Sequence, residues 1–336
     1  MTDRVLIADD DSGCRNLICE LLEMEGMDVV TASDGRQAVV EFDRLHPDIV
    51  LLDVQMPGMD GFTACRHIKK NPATRLVPVI FMTGLSEIDD RVRGIEAGAD
   101  DFLIKPISPP ELVARVRSLL SLKHFTDDLE RAETVLLTLA RSIEEKDAYT
   151  QGHCERLSRM SVLLGEKIGL SVEQISALRR GGIVHDIGKV AVPDSILLKP
   201  ARLTPDEVKI MQEHSVAGER ICAPLRSFRL VLPIIRHHHE KMDGTGYPDG
   251  LKGEQIPITA RVLQIVDVYD ALTTRRPYKR ALTPAEAMDV MAEEVRRGWW
   301  DPEIFERFKQ LSPETSSISD LETQDHLKGK QVMHEH

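Results

Sequence analysis

The sequence predicts an α/β domain with a doubly wound, five-stranded parallel sheet, joined by one long helix to an all-α domain. Three observations support this prediction. Short apolar runs alternate with amphipathic helical patterns over residues 1–121. One long helical pattern follows, and helix and loop patterns then fill most of residues 145–312. Strands that alternate with helices are typical of a parallel sheet that helices cover on both faces.

The apolar runs of the first domain are the predicted strands. Amphipathic stretches such as Leu17–Met24 and Ala38–Leu45 lie between them. Five strands fit the smaller of the two common doubly wound orders. The predicted strands are Val5–Ala8, Val29–Thr31, Ile49–Leu52, Val79–Met82 and Phe102–Ile104.

A long helix begins near Pro109, and we assign its residues 122–144 to a linker. Its apolar residues alternate at spacings of three and four, which indicates a coiled-coil seam. Such a seam predicts a homodimer. The alternative is an amphipathic helix packed on its own domain. The seam comprises Leu122, Phe125, Leu129, Ala132, Leu136, Leu139 and Ile143.

The composition excludes several classes of protein. The 336 residues carry a formal net charge of −12, which argues against DNA and against anionic membranes as partners. No apolar run approaches the length of about twenty residues that a spanning helix needs. The N-terminus does not resemble a signal peptide, and the five cysteines show no CxxC pair, so we expect a cytoplasmic protein. Residues 313–336 are polar and predict a disordered tail.

Polar residues follow the C-terminal ends of four predicted strands. Asp9 and Asp10 follow the first, Asp53 closes the third, Thr83 closes the fourth and Lys105 follows the fifth. Ligands of doubly wound sheets bind at this edge. Three neighbouring carboxylates need a cation, and oxygen ligands suit Mg²⁺. We therefore expect Asp53 to attack phosphorus beside Mg²⁺, with Lys105 and the Thr83 hydroxyl holding the phosphoryl oxygens.

These residues lie in recognisable motifs: ADD at Ala8–Asp10, DVQMPGMDG at Asp53–Gly61, FMTG at Phe81–Gly84 and FLIKP at Phe102–Pro106. The segment resembles a response-regulator receiver domain, which has a flavodoxin-like fold. The resemblance implies that Asp53 is the phosphoacceptor and that a sensor histidine kinase is the donor. It also implies a cis Lys105–Pro106 bond and an aromatic switch at Phe102, although Phe102 could equally be a core residue.

The second domain concentrates histidine and aspartate. Six of the twelve histidines lie between His153 and His239, and Asp267 lies in an apolar segment where an unpaired carboxylate is costly. Imidazole with carboxylate suits a transition metal. Seven candidates exceed the roughly four ligands of one tetrahedral site, so we expect two ions about 3.5–4 Å apart, bridged by Asp186. The candidates are His153, His185, Asp186, His214, His238, His239 and Asp267.

Positive side chains follow the predicted ligands. Lys189 comes shortly after Asp186, and Arg276 and Lys279 come after Asp267. Our hypothesis is that these three cations contact a substrate phosphate, although each could instead be a surface residue.

The motifs of this domain are EKDAYTQGH at Glu145–His153, HDIGK at His185–Lys189, HHEKMDGTGYP at His238–Pro248, DVYDAL at Asp267–Leu272 and RRPYK at Arg275–Lys279. Together they resemble the HD-GYP family, a branch of the HD superfamily. The resemblance implies metal-dependent hydrolysis of cyclic di-GMP to pGpG and then GMP. Iron or manganese is expected, with nickel and zinc as alternatives.

Two further expectations follow from this resemblance. Some members of the family carry a glutamate where this chain has Tyr149, and they bind a third metal ion, so we expect two ions here and a less efficient second hydrolysis. The loop motif Gly246, Tyr247 and Pro248 is tied in the family to binding diguanylate cyclases. Tyr247 could therefore support the histidine segment or contact a partner.

The leading interpretation is a phosphodiesterase for cyclic di-GMP that phosphorylation of Asp53 controls through the long helix. One alternative is a catalytically weak sensor or cyclase-docking module, and another is a phosphodiesterase for a different cyclic dinucleotide such as cyclic GMP-AMP. A DNA-binding regulator is disfavoured by the acidic balance and by the absence of a basic recognition helix.

Overall fold

Five parallel strands form the centre of the N-terminal part of the chain. They are β1 (Arg4–Ala8), β2 (Asp28–Ala32), β3 (Ile49–Asp53), β4 (Val79–Thr83) and β5 (Asp101–Ile104). Their order across the sheet is β2-β1-β3-β4-β5, and every pairing is parallel. The predicted doubly wound fold is confirmed, and each strand extends its predicted apolar run by one or two residues.

The computed structural model describes residues 2–71, 74–84, 88–146, 152–274 and 280–311. The chain divides into two units, Met1–Ala132 and Glu133–His336. The predicted tail, residues 313–336, lies outside the described residues.

Helices cover both faces of the sheet. Every residue of β3 is buried, and alternate residues enter two different apolar cores, Leu52 on one face and Leu51 on the other. Aspartate side chains accept backbone N–H groups at the start of three helices, where those groups have no partner within the helix. The helices of this unit are α1 (Ser12–Met24), α2 (Gly35–Leu45), α3 (Gly61–Lys70), α4 (Ile88–Ala97) and the first part of α5 (Pro109–Lys146).

The helix α5 is continuous over 38 residues, and the division between the two units falls within it. The first half of the predicted seam is exposed: Leu122 by 62%, Phe125 by 70% and Leu129 by 53%. Farther along, Leu136 and Ile143 pack on the core of the second unit. Among the later seam residues, Leu136 and Ile143 therefore pack within the second unit, whereas Leu139 is 54% exposed, and the first part of the seam keeps an exposed apolar stripe.

The described part of the second unit consists of helices and connecting loops and contains no strand, as predicted. After α5 come α6 (His153–Lys167), α7 (Val172–Val184), α8 (Asp194–Leu197), α9 (Pro205–Gln212), α10 (His214–Cys222), α11 (Leu232–His237), α12 (Ile258–Thr273), α13 (Pro284–Arg296) and α14 (Pro302–Lys309). Short 3-10 segments lie at Ile187–Ala191, Arg226–Phe228 and Gly253–Gln255. None of the described helices combines the length and apolar character needed to cross a membrane.

The core of the second unit is built around α12. Val262, Leu263 and Ile265 of this helix are fully buried. The helices α6 and α7 approach closely because Gly182 has no side chain: a Cβ there would lie 2.5 Å from the backbone N of Ser158. This packing brings the start of α6, the end of α7 and the middle of α12 together.

Candidate functional site

The carboxyl edge of the sheet brings the predicted phosphoacceptor and its neighbours together. Asp9 is fully buried and Asp53 is 6% exposed. Lys105 Nζ lies 2.7 Å from Asp53 Oδ2 and 2.8 Å from Asp9 Oδ2. The Lys105 backbone N–H donates to the carbonyl of Thr83 at 2.8 Å, which ties β4 to the lysine. One lysine thus pairs with two buried carboxylates, so a net negative charge remains in this pocket.

The same pocket offers ligands for a cation. One oxygen from each of Asp9, Asp10 and Asp53 lies within 4.8 Å of the others, and such oxygen donors suit Mg²⁺. Burial raises the pKa of Asp53, and the charge of Asp9 adds to this, whereas Lys105 opposes it. Burial alone would lower the pKa of Lys105, but its ion pairs with Asp53 and Asp9 outweigh burial and raise it.

Phe102 is partly buried and packs at the edge of one apolar core of the sheet. Its ring centroid is 6.0 Å from that of Phe81, and a Cβ at Gly94 would lie 2.6 Å from the ring of Phe102. The Lys105–Pro106 peptide bond is cis, as the receiver resemblance implies.

The predicted metal ligands of the second unit converge from five segments of the chain. His153 begins α6, His185 and Asp186 follow α7, and His214 begins α10. His238 and His239 follow α11, and Asp267 lies within α12. Their ligand atoms form two groups, each with members within 4.8 Å of one another: Asp186, His214, His238 and His239 in one, and His153, His185 and Asp267 in the other.

Asp186 lies between the two groups. Its Oδ1 is 3.3 Å from His214 Nε2 and 3.8 Å from His238 Nε2. Its Oδ2 is 3.3 Å from His185 Nε2 and 2.6 Å from Lys189 Nζ. Oδ1 is buried and accepts no hydrogen bond from any described residue, a costly arrangement for a carboxylate oxygen. Asp186 Oδ1 has no hydrogen bond and lies near two imidazole nitrogens, so this oxygen is available to bind a metal ion together with them.

Four of the histidines are held by their Nδ1 atoms. A histidine that donates its Nδ1–H in this way leaves the Nε2 lone pair available to a metal ion. His214 Nε2 and His238 Nε2 accordingly approach each other to 3.3 Å. The Nδ1 partners are Asp270 Oδ2 for His153 (2.7 Å), Gly182 O for His185 (3.2 Å), Met211 O for His214 (2.7 Å) and Ile235 O for His238 (2.8 Å).

The charge states of the first group also suit a metal. Burial lowers the pKa of His214 to about 4, and it lowers the pKa of His239 well below its ordinary value. Burial would raise the pKa of Asp186, but Lys189 and His185 hold it well below its ordinary value. In the first group, the neutral imidazoles of His214 and His239 beside an ionised Asp186 form a donor set that fits transition-metal ions. In the second group, burial would lower the pKa of His185, but Asp186 raises it.

Sequence reasoning missed Asp270. This carboxylate is 3% exposed and accepts from His153 Nδ1 at 2.7 Å and from Arg156 Nε at 2.6 Å. It lies three residues after Asp267, on the same side of α12, and that spacing was the available signal. Asp270 thus orients the first predicted ligand.

The Gly-Tyr-Pro loop packs on the histidine segment. The ring of Tyr247 lies 4.8 Å from that of His239, measured between centroids, and the Tyr247 N–H donates to the carbonyl of His239. A Cβ at Gly246 would collide with the backbone of Glu240 and Lys241. Glu240, which sequence reasoning also missed, is fully buried and accepts the N–H groups of Asp249 and Leu251. The Tyr247–Pro248 bond is cis.

Other predicted residues have different placements. Lys189 forms the ion pair with Asp186 described above. His237 faces Asp249 and Glu240 rather than either ligand group. Tyr149, Arg276 and Lys279 lie outside the described residues.

Two family models match the chain. A response regulator receiver domain model matches residues 5–117, and an HD domain model matches residues 138–304. They correspond to the sheet unit and to most of the helical unit.

Two relatives match more than four fifths of this chain, and a third matches 56% of it. The cyclic di-GMP phosphodiesterase response regulator RpfG of Xanthomonas campestris pv. campestris is 36% identical, over 84% of this chain and 81% of its own. The cyclic di-GMP phosphodiesterase of Thermotoga maritima is 32% identical, over 94% of this chain and 92% of its own. A 3'3'-cGAMP-specific phosphodiesterase 3 of Vibrio cholerae is 34% identical, over 56% of this chain and 40% of its own. This chain belongs to the HD-GYP family of response regulators, in which a receiver domain precedes an HD domain.

Proposed function

We propose that this chain is a phosphorylation-controlled phosphodiesterase that hydrolyses cyclic di-GMP to pGpG, and pGpG more slowly to GMP. The observation that carries the proposal is the pair of ligand groups that meet at Asp186. The relatives from Xanthomonas campestris and Thermotoga maritima are named as cyclic di-GMP phosphodiesterases, which supports cyclic di-GMP as the substrate.

The seven His and Asp side chains would hold two transition-metal ions, iron or manganese, with Asp186 shared between them. When bound, such ions make a water molecule more acidic and offset negative charge on a phosphoryl group. The protein supplies the remaining parts. Asp270 keeps the Nε2 of His153 available to a metal, and the backbone carbonyls of Gly182, Met211 and Ile235 do the same for His185, His214 and His238.

Lys189 has two proposed roles. Its ammonium group, 2.6 Å from Asp186 Oδ2, keeps that carboxylate ionised and in place. It also puts a positive charge beside the ligand groups, where a substrate phosphate would lie. Arg276 and Lys279 are proposed to contact the same phosphate, because they follow α12 closely in the sequence.

The receiver unit is proposed to control this reaction. A sensor histidine kinase would phosphorylate Asp53 beside Mg²⁺ held by Asp9, Asp10 and Asp53. Lys105 and the Thr83 hydroxyl would then hold the phosphoryl oxygens, and Phe102 would act as the aromatic switch. The exposed seam at Leu122, Phe125 and Leu129 supports a homodimer formed through α5, and α5 would carry the signal.

A second candidate substrate is 3'3'-cyclic GMP-AMP. The observation that favours it is that a Vibrio cholerae phosphodiesterase named for this dinucleotide is 34% identical over 56% of this chain. We further propose that the Gly246–Tyr247–Pro248 loop docks diguanylate cyclases by its edge, while the Tyr247 ring packs on His239.

The test is hydrolysis by the full chain, purified without oxygen and supplied with Fe²⁺ or Mn²⁺. Cyclic di-GMP and cyclic GMP-AMP are assayed side by side, with and without beryllofluoride. We expect turnover of cyclic di-GMP, its loss in His185→Ala and Asp186→Ala, and accumulation of pGpG ahead of GMP. His237→Gln is the matched control, because that ring faces neither ligand group, and it should retain turnover.

Each outcome has a defined meaning. Faster cleavage of cyclic GMP-AMP would replace the proposed substrate. If the metal-loaded chain cleaves neither dinucleotide, with or without beryllofluoride, the proposed phosphodiesterase activity is refuted and the interpretation as a sensor remains. If beryllofluoride changes neither the rate of hydrolysis nor the extent of dimerisation, the proposed control through Asp53 is refuted.

A further inference from the structure

The first turn of α6 carries His153 and lacks a cap of its own. Its N-cap residue is Gly152, which has no side chain to accept the N–H groups of that turn. The first N–H groups of any helix have no partner within the helix. The position of His153 therefore depends on what else binds this turn.

Two side chains of α5 bind it. Glu144 Oε1 accepts a hydrogen bond from the backbone N–H of Cys154 at 3.2 Å. Arg141 Nε donates to Glu155 Oε1 at 2.7 Å. Arg141 and Glu144 lie one turn apart on α5, so they hold consecutive residues of α6. The negative charge of Glu144 also complements the positive end of the helix dipole.

The two contacts differ in strength. Arg141 and Glu155 are both about half exposed, at 48% and 49%, and solvent screens such a pair. Glu144 instead bonds the backbone of Cys154, a residue that is only 3% exposed. Losing an acceptor from a shielded N–H costs more than losing a surface ion pair. Glu144 is therefore the stronger of the two restraints.

This contact borders the proposed metal centre. A cavity beside the centre has Ala140, Ile143 and Glu144 of α5 on one side and His153, Asp186 and Lys189 on the other. Ala140 is 5% exposed and packs in the same core as Leu157 of α6. The end of α5 is thus fixed against α6 by apolar packing as well as by Glu144.

We propose that Glu144 is a positioning residue for His153. It holds the backbone at the start of α6, while Asp270 orients the imidazole from the other end. Both restraints are needed to keep His153 Nε2 near Asp267, which it faces at 3.5 Å. Because α5 is continuous from Pro109, a shift of this helix reaches a metal ligand through Glu144. The inference rests on the proposed metal centre and not on a particular substrate.

The experiment compares the full chain with Glu144→Ala, Glu144→Gln and Ser142→Ala. Ser142 is the matched control, because it is exposed on the same turn of α5 and its hydroxyl donates a hydrogen bond to the carbonyl of Thr138 in the same helix. Two quantities are measured: hydrogen exchange of the first turn of α6 in metal-free protein, and Mn²⁺ binding by calorimetry. Arg141→Ala is added as a milder variant.

We expect Glu144→Ala to speed exchange in the first turn of α6 and to weaken one of the two Mn²⁺ sites by about tenfold, the lower end for residues that orient ligands. Glu144→Gln keeps an acceptor oxygen and should lie closer to the parent. Arg141→Ala should have a smaller effect, and Ser142→Ala should have none.

Equal exchange rates in the parent, Glu144→Ala and Glu144→Gln proteins would overturn the proposal, as would an effect of Ser142→Ala as large as that of Glu144→Ala. The exchange measurement needs neither metal nor substrate. A parent chain without phosphodiesterase activity would therefore refute the proposed function, while the exchange rates would still show whether Glu144 holds the first turn of α6. Unchanged Mn²⁺ affinities in Glu144→Ala would overturn its role in positioning His153.

Discussion

Replacing Asp270 with asparagine tests how the second ligand group is built. Asp270 Oδ2 accepts from His153 Nδ1 at 2.7 Å, and Oδ1 accepts from Arg156 Nε at 2.6 Å. Burial would raise the pKa of Asp270, but His153 and Arg156 lower it to about 2. The residue is therefore an ionised carboxylate at neutral pH, with acceptors on both sides.

Asparagine has one acceptor oxygen, so one of these contacts must fail. If its NH₂ group faces His153, the imidazole proton moves to Nε2, and that nitrogen can no longer bind a metal. If the NH₂ group faces Arg156, two hydrogen-bond donors face each other and the buried contact with Arg156 is lost. We expect one of the two metal affinities to fall by about 10–100-fold, or roughly 1.4–2.7 kcal/mol.

The assay is Mn²⁺ titration of metal-free protein, with Asp301→Asn as the matched control. Asp301 is also buried and ion-paired, since it accepts from Arg261 Nη1 at 2.6 Å, but it caps α14 and belongs to neither ligand group. Asp301→Asn should lower the free energy of unfolding and leave both affinities unchanged. Two unchanged affinities in Asp270→Asn would refute the reasoning.

Three other predictions concern separate features. Leu129→Glu should dissociate the proposed dimer in sedimentation experiments, whereas Val135→Glu, at an equally exposed position outside the seam, should not; equal behaviour would exclude the seam. Gly246→Ala should lower the melting temperature and separate Tyr247 from the histidine segment, because the added Cβ collides with backbone; an unchanged thermal transition would contradict this. Asp60→Ala should cost about 1 kcal/mol of stability at pH 7 through loss of a helix cap. Hydrogen bonds from Thr63 outweigh burial and lower the pKa of Asp60, so folding stabilises its ionised form. The difference in the free energy of unfolding between the parent and Asp60→Ala, measured in denaturant titrations, should therefore shrink as the pH falls below 3.8 and not as it rises.

The central strands β1, β3 and β4 were predictable because they are buried on both faces. Such strands need continuous apolar runs, and the runs that begin at Val5 and Ile49 stand out against the polar residues at their ends. The polar residues at the strand ends were predictable for a related reason. In a parallel sheet all these ends lie at one edge, so Asp53 and Lys105 meet although 52 residues separate them.

The helical unit was harder to predict in detail. Chemistry alone selected the seven candidate ligands, but their division into two groups depends on where helices end. On a helix, the consecutive residues His238 and His239 would point about 100° apart. In the structure α11 ends at His237, and the rings of His238 and His239 lie 4.0 Å apart within one ligand group.

The supporting residues could not be found from local sequence. Asp270 matters because it accepts from His153, and Glu144 matters because it accepts from the N–H of Cys154, and no local sequence pattern indicates either contact. Both are ordinary acidic residues on helices until the fold brings their partners to them. Contacts between distant segments are the part of a site that composition and spacing leave undetermined.

The distance along the chain between His153 and Asp270 also affects how the protein is made. The two residues are 117 positions apart, and α12 carries both Asp267 and Asp270. At a synthesis rate of about 5–20 residues per second, His153 leaves the ribosome roughly 6–23 seconds before the residue that orients it. Metal capture at this group must therefore wait until most of the chain has been translated, and a nascent chain interrupted before α12 would hold histidines without the carboxylates that complete their site.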